Sequence, residues 1–582
     1  MSARRFLTAA LAGCALIGGG LAIAAPASGA SSADAPPETP GSLTTAAVTP
    51  GDGPVSVAIV LPLTVPPTTT GLLDAETLTS YTAPGGLLTR QLDAVAGTSV
   101  AIGLDPMVVA SIRVLGTVAP DTAVAFLERL SSVPNEVFLL AYADADPSVT
   151  GVATGGGALD PLGFDFAIDP ADFGPAATPT PTSSVPAVPD PAGTGEPDSD
   201  EPDSGEPPPL PETADLLAWS ASLESIAWPA EGRVGADGLS SLTAQGYADV
   251  LLAGSNVSEV STALADLGDI DGIVADTEVT AAVRDATYAA TSTSYQEAIA
   301  RLGLTLQTRA AEAPGRTIVA TLDRRWPFGT LRMSDLLTAI DAASASQLVT
   351  LGEVLAGPRE NAQLVEAPAD DRADTAGRMV SASSEEIAFL TIAEDAALIT
   401  QPRRLAMLGL SAAAWDPDDP VWVAATDTLL SESRATLEAV QITQGSDLLL
   451  LSDISTLRMQ VSNALPVSVT VYLSVRPLRP LLHVEDPSIE VTIEPDSTST
   501  ASVPVESIAN GDVTVRAELL AANGRILGSV RFVKVILQAG WETAGTLIAG
   551  TLVVLVFGGG LIRSIVRRRR EAAAGSPAGA DD

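Results

Sequence analysis

Cysteine, histidine and lysine each occur once in this 582-residue chain, as Cys14, His483 and Lys534. Each scarcity removes a class of chemistry. A histidine-rich zinc site and a Ser-His-Asp triad both need imidazole close to the reacting centre. His483 lies in a late stretch of alternating apolar and polar residues, so the larger part of the chain has neither. Cys14 falls inside an N-terminal apolar run. Cleavage beyond it leaves no cysteine, and with it no disulfide and no thiolate nucleophile.

Positive charge is also scarce. Thirty-one Lys and Arg face 71 Asp and Glu, a net charge of −40, which argues against a nucleic-acid partner. Gly155 to Gly157 lack the lysine and hydroxyl of a phosphate loop, and no complete EF-hand spacing occurs. No cofactor and no metal is expected. An all-oxygen cation site around Asp144 and Asp146 is the one metal reading left open.

Long apolar runs are few and lie at the two ends. Residues 1–30 combine a short basic start, an apolar stretch and small residues at Ser28 and Ala30, which reads as a secretory signal cleaved after Ala30. Cys14 in L-A-G-C resembles a lipobox, but the apolar run continues past it. Near the C-terminus, residues 541–562 form a transmembrane helix in this reading. Its apolar stretch from Ala544 to Ile562 spans about 28 Å as a helix. Arg563 and Arg567 to Arg570 follow, and arginine excess marks the cytoplasmic side. The expected product is a single-pass plasma-membrane protein, its bulk extracellular and residues 563–582 a cytoplasmic tail.

Between these ends, residues 31–54 are rich in Pro, Ser, Thr and Ala and read as a flexible tether. Residues 175–211 contain GEPDSDEPDSGEPPP and bury too little apolar surface to offset ordering entropy; they read as a disordered insert. Around the insert, residues 55–450 alternate short apolar strands with helical patterns. Strands are expected at 55–61, 99–104, 136–141, 224–228, 249–252, 272–275 and 317–322. Helices are expected at 87–95, 121–130, 279–306 and 333–345, with more from 385 to 410 and 422 to 443. This is α/β construction with a parallel sheet, closed as a β/α barrel or left open. Residues 454–537 switch to period-two alternation. Seven strands with a hairpin turn at Asn523-Gly524 fit an all-β sandwich of immunoglobulin or fibronectin type, acting as a spacer before the membrane.

Ligands of parallel sheets lie at the carboxyl ends of the strands. Asp105, Asp144, Asp146, Asp276 and Asp323 fall there and are the candidate catalytic acids. Trp228, Glu231, Glu278, Arg324, Arg325 and Trp326 are the candidate ligand-binding residues. Paired carboxylates beside an aromatic platform suit glycoside hydrolysis, and arginine suits a carboxylate or phosphate. The plainer alternative for each acid is a helix cap or strand terminator.

The segments LLTRQLDAVAG and AIGLDP, VFLLAYADADPS, AWPAEG, IVATLDRRWP, and QVSNALPVSVTV through AGWETAGTLIAG resemble the actinobacterial domain-of-unknown-function family 6049. The resemblance implies a secreted or surface-anchored protein without established activity. It implies a large domain like the glycoside hydrolase/deacetylase class of β/α barrels, and genes beside that of the lipid II flippase. The histidines of true deacetylases are absent, as is the β-rich domain that precedes the barrel in some relatives. The leading expectation is therefore a non-catalytic envelope protein that binds cell-wall glycan or an envelope protein, with the lipid II flippase among the candidates. The alternatives are a carboxylate-dependent glycosidase acting on cell-wall glycan, and a membrane scaffold for envelope machinery that serves peptidoglycan precursor export.

Overall fold

The structure, a computed structural model, describes residues 53–173, 210–324, 332–365, 367, 370–443, 448–538 and 541–573. The signal, most of the tether, nearly all of the acidic insert, Arg325 and Trp326 lie outside the described residues.

A ten-stranded sheet organises the larger part. Its strands are β1 (Val55–Leu63), β2 (Ala101–Leu104), β3 (Val137–Leu139), β4 (Ile226–Ala227), β5 (Asp249–Ala253), β6 (Leu264–Asp266), β7 (Asp271–Ala275), β8 (Thr317–Thr321), β9 (Ser346–Leu348) and β10 (Glu360–Asn361). One path runs β10-β6-β7-β8-β1-β2-β3, with β4-β5 attached to β7 and β9 to β1. Every pairing is parallel except β6 with β7, an antiparallel departure from the purely parallel sheet expected. All seven expected strands are present, within about two residues of their expected ends.

Burial on both faces explains the apolar runs. In β1, Val57, Ile59, Leu61 and Leu63 join the core beneath the helices, whereas Ala58 and Val60 join a second cluster on the opposite face. That second cluster also takes Ala101, Phe138, Ile226, Leu251, Ile273 and Val319, drawing on β2, β3, β4, β5, β7 and β8. Gly103 in β2 faces it too. A Cβ there would lie 3.0 Å from Phe138 and 3.2 Å from Trp228, so the strand carries glycine where the interior is full.

The helix expected over 279–306 is two helices, Thr277–Thr287 and Ser292–Glu312. Thr291 starts the second by accepting from the Ser294 amide, a capping box that apolar periodicity does not reveal. A helix at Asp371–Phe389 begins earlier than expected, and two more follow at Ala397–Leu410 and Pro420–Glu438.

The second set of strands starts at β11 (Val440–Ile442) and β12 (Leu448–Leu450), ahead of the expected boundary at 454. It continues with β13 (Ile454–Asn463), β14 (Val469–Pro477), β15 (Leu482–Val484), β16 (Ser488–Ile493), β17 (Ser497–Ser507), β18 (Gly511–Leu520) and β19 (Ile526–Leu537). Four form one sheet, β11-β13-β17-β15, and five the other, β12-β19-β18-β14-β16. Alternate residues such as Val469, Val471 and Leu473 enter one shared apolar core. Gly524 takes φ +82° in the turn between β18 and β19, where a side chain would be strained.

The chain then enters a 33-residue helix, Trp541–Ala573. Its span Gly545–Arg570 is long and apolar enough to cross a membrane, and its apolar side chains are exposed, reaching 74 % at Phe557. So much exposed apolar surface in one helix is stable in lipid rather than water. Ending the chain at Gln538 is expected to move it from the membrane fraction to the soluble fraction, scored by ultracentrifugation of lysed cells. Retention in the membrane would mean another attachment.

Candidate functional site

Beyond the carboxyl end of β2, Asp105 caps the helix Pro106–Arg113, accepting from the Met107 amide at 2.9 Å. It is buried, and among the described residues it has no salt bridge. Burial, and then the neighbouring Asp144, push its carboxyl up to about 8.

After β3 the backbone turns sharply. Ala143 and Asp144 take φ +58° and +50°, a left-handed pair that costs energy for alanine in particular. The turn sets Asp144 against Arg324, whose Nε donates to its two oxygens at 3.0 and 2.7 Å. Burial pushes the Asp144 carboxyl up, and Arg324 pulls it back part of the way. Two residues on, Asp146 caps the helix Pro147–Thr154 through the Ser148 amide and hydroxyl, at 3.1 and 2.7 Å. It also accepts from the Ala230 amide at 3.1 Å and from Arg372 Nη2 at 2.8 Å. Burial alone would raise its carboxyl, but Arg372, Ser148 and Ala230 together hold it below the usual range.

Arg372 continues the chain of charges. It is 3 % exposed and reaches Asp370 at 2.5 Å, while Arg233 approaches Asp370 at 3.7 Å. The carboxylates open to a cation by sequence therefore bind guanidinium groups instead. Among the described residues, no cluster of three or more His, Cys, Asp or Glu is placed to hold a metal ion.

Trp228 is not a surface platform. It is buried, packs on Phe138 with ring centroids 6.2 Å apart, and lies under the Arg324 guanidinium at 4.9 Å. Arg324 Nη2 donates to the Trp228 carbonyl at 2.5 Å and Nη1 to that of Pro229 at 3.4 Å. Above this layer opens a cleft of about 180 Å³ bordered by Trp228, Glu231, Asp323 and Arg324. Arg284 holds Glu231 at 2.9 Å, and the Asp323 amide donates to the Tyr288 hydroxyl at 3.2 Å.

Asp276 and Glu278 stand apart from this cleft. Asp276 caps the helix Thr277–Thr287 and pairs with Arg309 at 2.9 Å; Glu278 joins the same arginine at 3.1 Å. Arg325 and Trp326 are outside the described residues. The expected candidates thus divide three ways: Trp228, Glu231, Asp323 and Arg324 meet at one cleft, Asp105, Asp144 and Asp146 form a buried layer, and Asp276 and Glu278 belong to a separate ion cluster. Sequence reasoning missed Arg372, Asp370, Arg233, Arg284 and Trp415. An Asp-Asp-Arg run at 370–372 marks a helix start, but nothing in it announces a partner at Asp146.

The model of the Family of unknown function (DUF6049) matches residues 30–579, and the chain belongs to that family. No curated protein matches it. Among solved structures, the α-amylase AmyC of Thermotoga maritima is similar over 66 % of this chain and 93 % of its own, at 9 % identity and TM-score 0.39. Native alpha-2-macroglobulin of E. coli is similar over 18 % of this chain, which spans 7 % of its length, at 17 % identity and TM-score 0.15. PapD-like domain 7 of human CEP192 is similar over 17 % of this chain and 84 % of its own, at 13 % identity and TM-score 0.14. Likenesses at these scores assign no activity to the chain.

Proposed function

We propose that this member of the DUF6049 family is a non-catalytic, membrane-anchored envelope protein that binds cell-wall glycan or an envelope protein at the strand-end cleft. One observation carries the reading: Asp105, Asp144, Asp146 and Asp276 all serve as caps or ion-pair partners. A general acid and a nucleophile must each reach substrate, and these carboxylates are turned to the protein's own amides and arginines.

In this reading the large sheet closes as a seven-stranded β/α barrel. Support comes from the inner cluster fed by β1, β2, β3, β4, β5, β7 and β8, and from the seam between β3 and β4. There the amides of Ser222 and Leu223 donate to the Val137 carbonyl at 2.9 and 3.0 Å. The later strands act as a sandwich-like spacer, and the arginines after Ile562 orient the helix with the bulk outside the cell. The lipid II flippase remains a candidate partner through the family resemblance.

Sedimentation with purified wall sacculi, and capture on immobilised envelope proteins, test the proposal with the full chain in detergent. Saturable binding to either is the expected result, and binding to neither sinks it. A glycosidase reading has one observation in its favour, since Glu231 and Asp323 border the same cleft. Reducing ends released from wall glycan by the wild type, and lost in Glu231→Gln or Asp323→Asn, would replace binding with hydrolysis.

A further inference from the structure

The chain leaves the second set of strands at one defined point. Gln538, the residue after β19, donates its amide to the Leu450 carbonyl at 2.8 Å, and the last helix begins at Trp541. That step reaches at most about 11 Å, and the helix rises about 6 Å more before its apolar span opens at Gly545. The headgroup layer of a bilayer takes up about 5–8 Å on each side of the hydrocarbon. A bilayer crossed by this helix therefore begins close to the end of the strands that holds Gln538.

Strand register brings further chain to that end. Leu450 and Gly511 both pair with Leu537, the last residue of β19. In the facing sheet Ile454 pairs with Glu506, at the start of β13 and the end of β17. The turns after β12 and β17 thus lie where the helix departs. At their tips the fold leaves three large apolar side chains uncovered: Leu451, Ile454 and Ile508, between 61 % and 77 % exposed. Leu478 flanks them further up, beside Thr514, and is exposed as well. The tips are held in place, since the Ser507 amide donates to the Asp453 carbonyl at 2.7 Å and the Ile508 amide to that of Leu481 at 2.9 Å.

The opposite end differs. It abuts the larger part of the chain, where the Glu394 amide donates to the Ser468 carbonyl at 2.9 Å, and its Leu465 and Val467 are buried. Its exposed turns carry Glu494, Asp496, Asn523 and Arg525, with Ile526 the one large apolar side chain exposed there among the described residues. An apolar rim fixed at the end nearest a membrane helix has an apolar phase within reach. Asp453 and Glu506 stand among the tips, so insertion of the apolar side chains, and not attraction to anionic headgroups, is the contact this end suits.

From this we infer that the second set of strands docks on the bilayer, with Leu451, Ile454 and Ile508 entering its headgroup layer. The strands then stand on the membrane instead of swinging from the helix. The inference rests on the reading of Trp541–Ala573 as a membrane anchor. Tethering by that helix gives the rim a high effective concentration at the surface, so a contact too weak to retain the chain ended at Gln538 is enough in the full chain.

The test uses the full chain with Cys14→Ala and one environment-sensitive fluorophore on Ile508→Cys, reconstituted into phosphatidylcholine vesicles. The emission should be blue-shifted and quenched about twofold or more by lipid doxyl-labelled near the headgroup. The same fluorophore on Asn523→Cys, at the opposite end, should keep its water-like emission. Leu451→Asp with Ile454→Asp, both exposed and outside the core, should return the probe at 508 to the level of that at 523. A probe at 508 as wet as that at 523 overturns the docking, as does an apolar environment that lipid fails to quench or that survives both aspartates. A probe on Val554→Cys, inside the apolar span, separates the premise. Quenching at 554 and not at 508 keeps the anchor and overturns the docking, whereas quenching at 508 and not at 554 keeps the docking and overturns the anchor.

Discussion

Replacing Arg372 with methionine is expected to lower the unfolding free energy by about 3–5 kcal/mol, the range for removing one partner of a buried ion pair. Arg372 touches Asp146 at 2.8 Å and Asp370 at 2.5 Å, and all three side chains are buried. Methionine keeps much of the volume but leaves Asp146 buried with no guanidinium beside it, held only by Ser148 and Ala230, and leaves Asp370 with the more distant Arg233. Denaturant titration of the full chain in detergent measures the loss, and a change below about 1 kcal/mol would show that the pair is solvated and structurally idle. The pH dependence carries a sign. Because Asp146 sits below its ordinary range in the folded protein, its contribution is complete above the unfolded value of 3.8. That contribution fades as pH falls through the lower, folded value. Without Arg372, burial raises the same carboxyl, so the gap between wild type and variant should narrow in acid. Adding Asp146→Asn to the variant should restore part of the loss, since the orphaned charge is then gone.

The network that sets this effect was the least legible part of the sequence. The seven strands could be read because burial on both faces forces unbroken apolar runs, a local signal. The caps could be read as an alternative because Asp-Pro at 105–106 and 146–147 is a local helix-start pattern. Arg372 and Asp146 are 226 positions apart, and Arg324 and Asp144 are 180 apart, so no spacing could join them. Trp228 misled for a related reason. Its place at a strand end suggested a platform, but whether such a residue points outward or into the interior depends on the pleat, and Gly103 beneath it leaves room for the ring. Trp415, which also lines the cleft, follows a helix rather than a strand and lay outside the strand-end rule.

Asp105 should produce the other large effect, opposite in sign to that of Asp146. Its carboxyl stands at about 8 in the folded protein because of burial first and Asp144 second, against 3.8 for the ordinary group. The folded state thus holds a proton that the unfolded state has released, and stability must fall as pH rises between these values. The slope from this one group is about 1.4 kcal/mol per pH unit at most. Asp105→Asn keeps an oxygen for the Met107 amide while removing the titration. The variant should match the wild type near pH 4, exceed it at pH 9, and show a flatter profile between. Asp144, raised in the same direction but opposed by Arg324, accounts for slope that remains. Melting temperatures across pH 4–9 decide the matter. A wild type that is flat over this span, or a variant no more stable at pH 9, would mean that Asp105 is ionised within the fold.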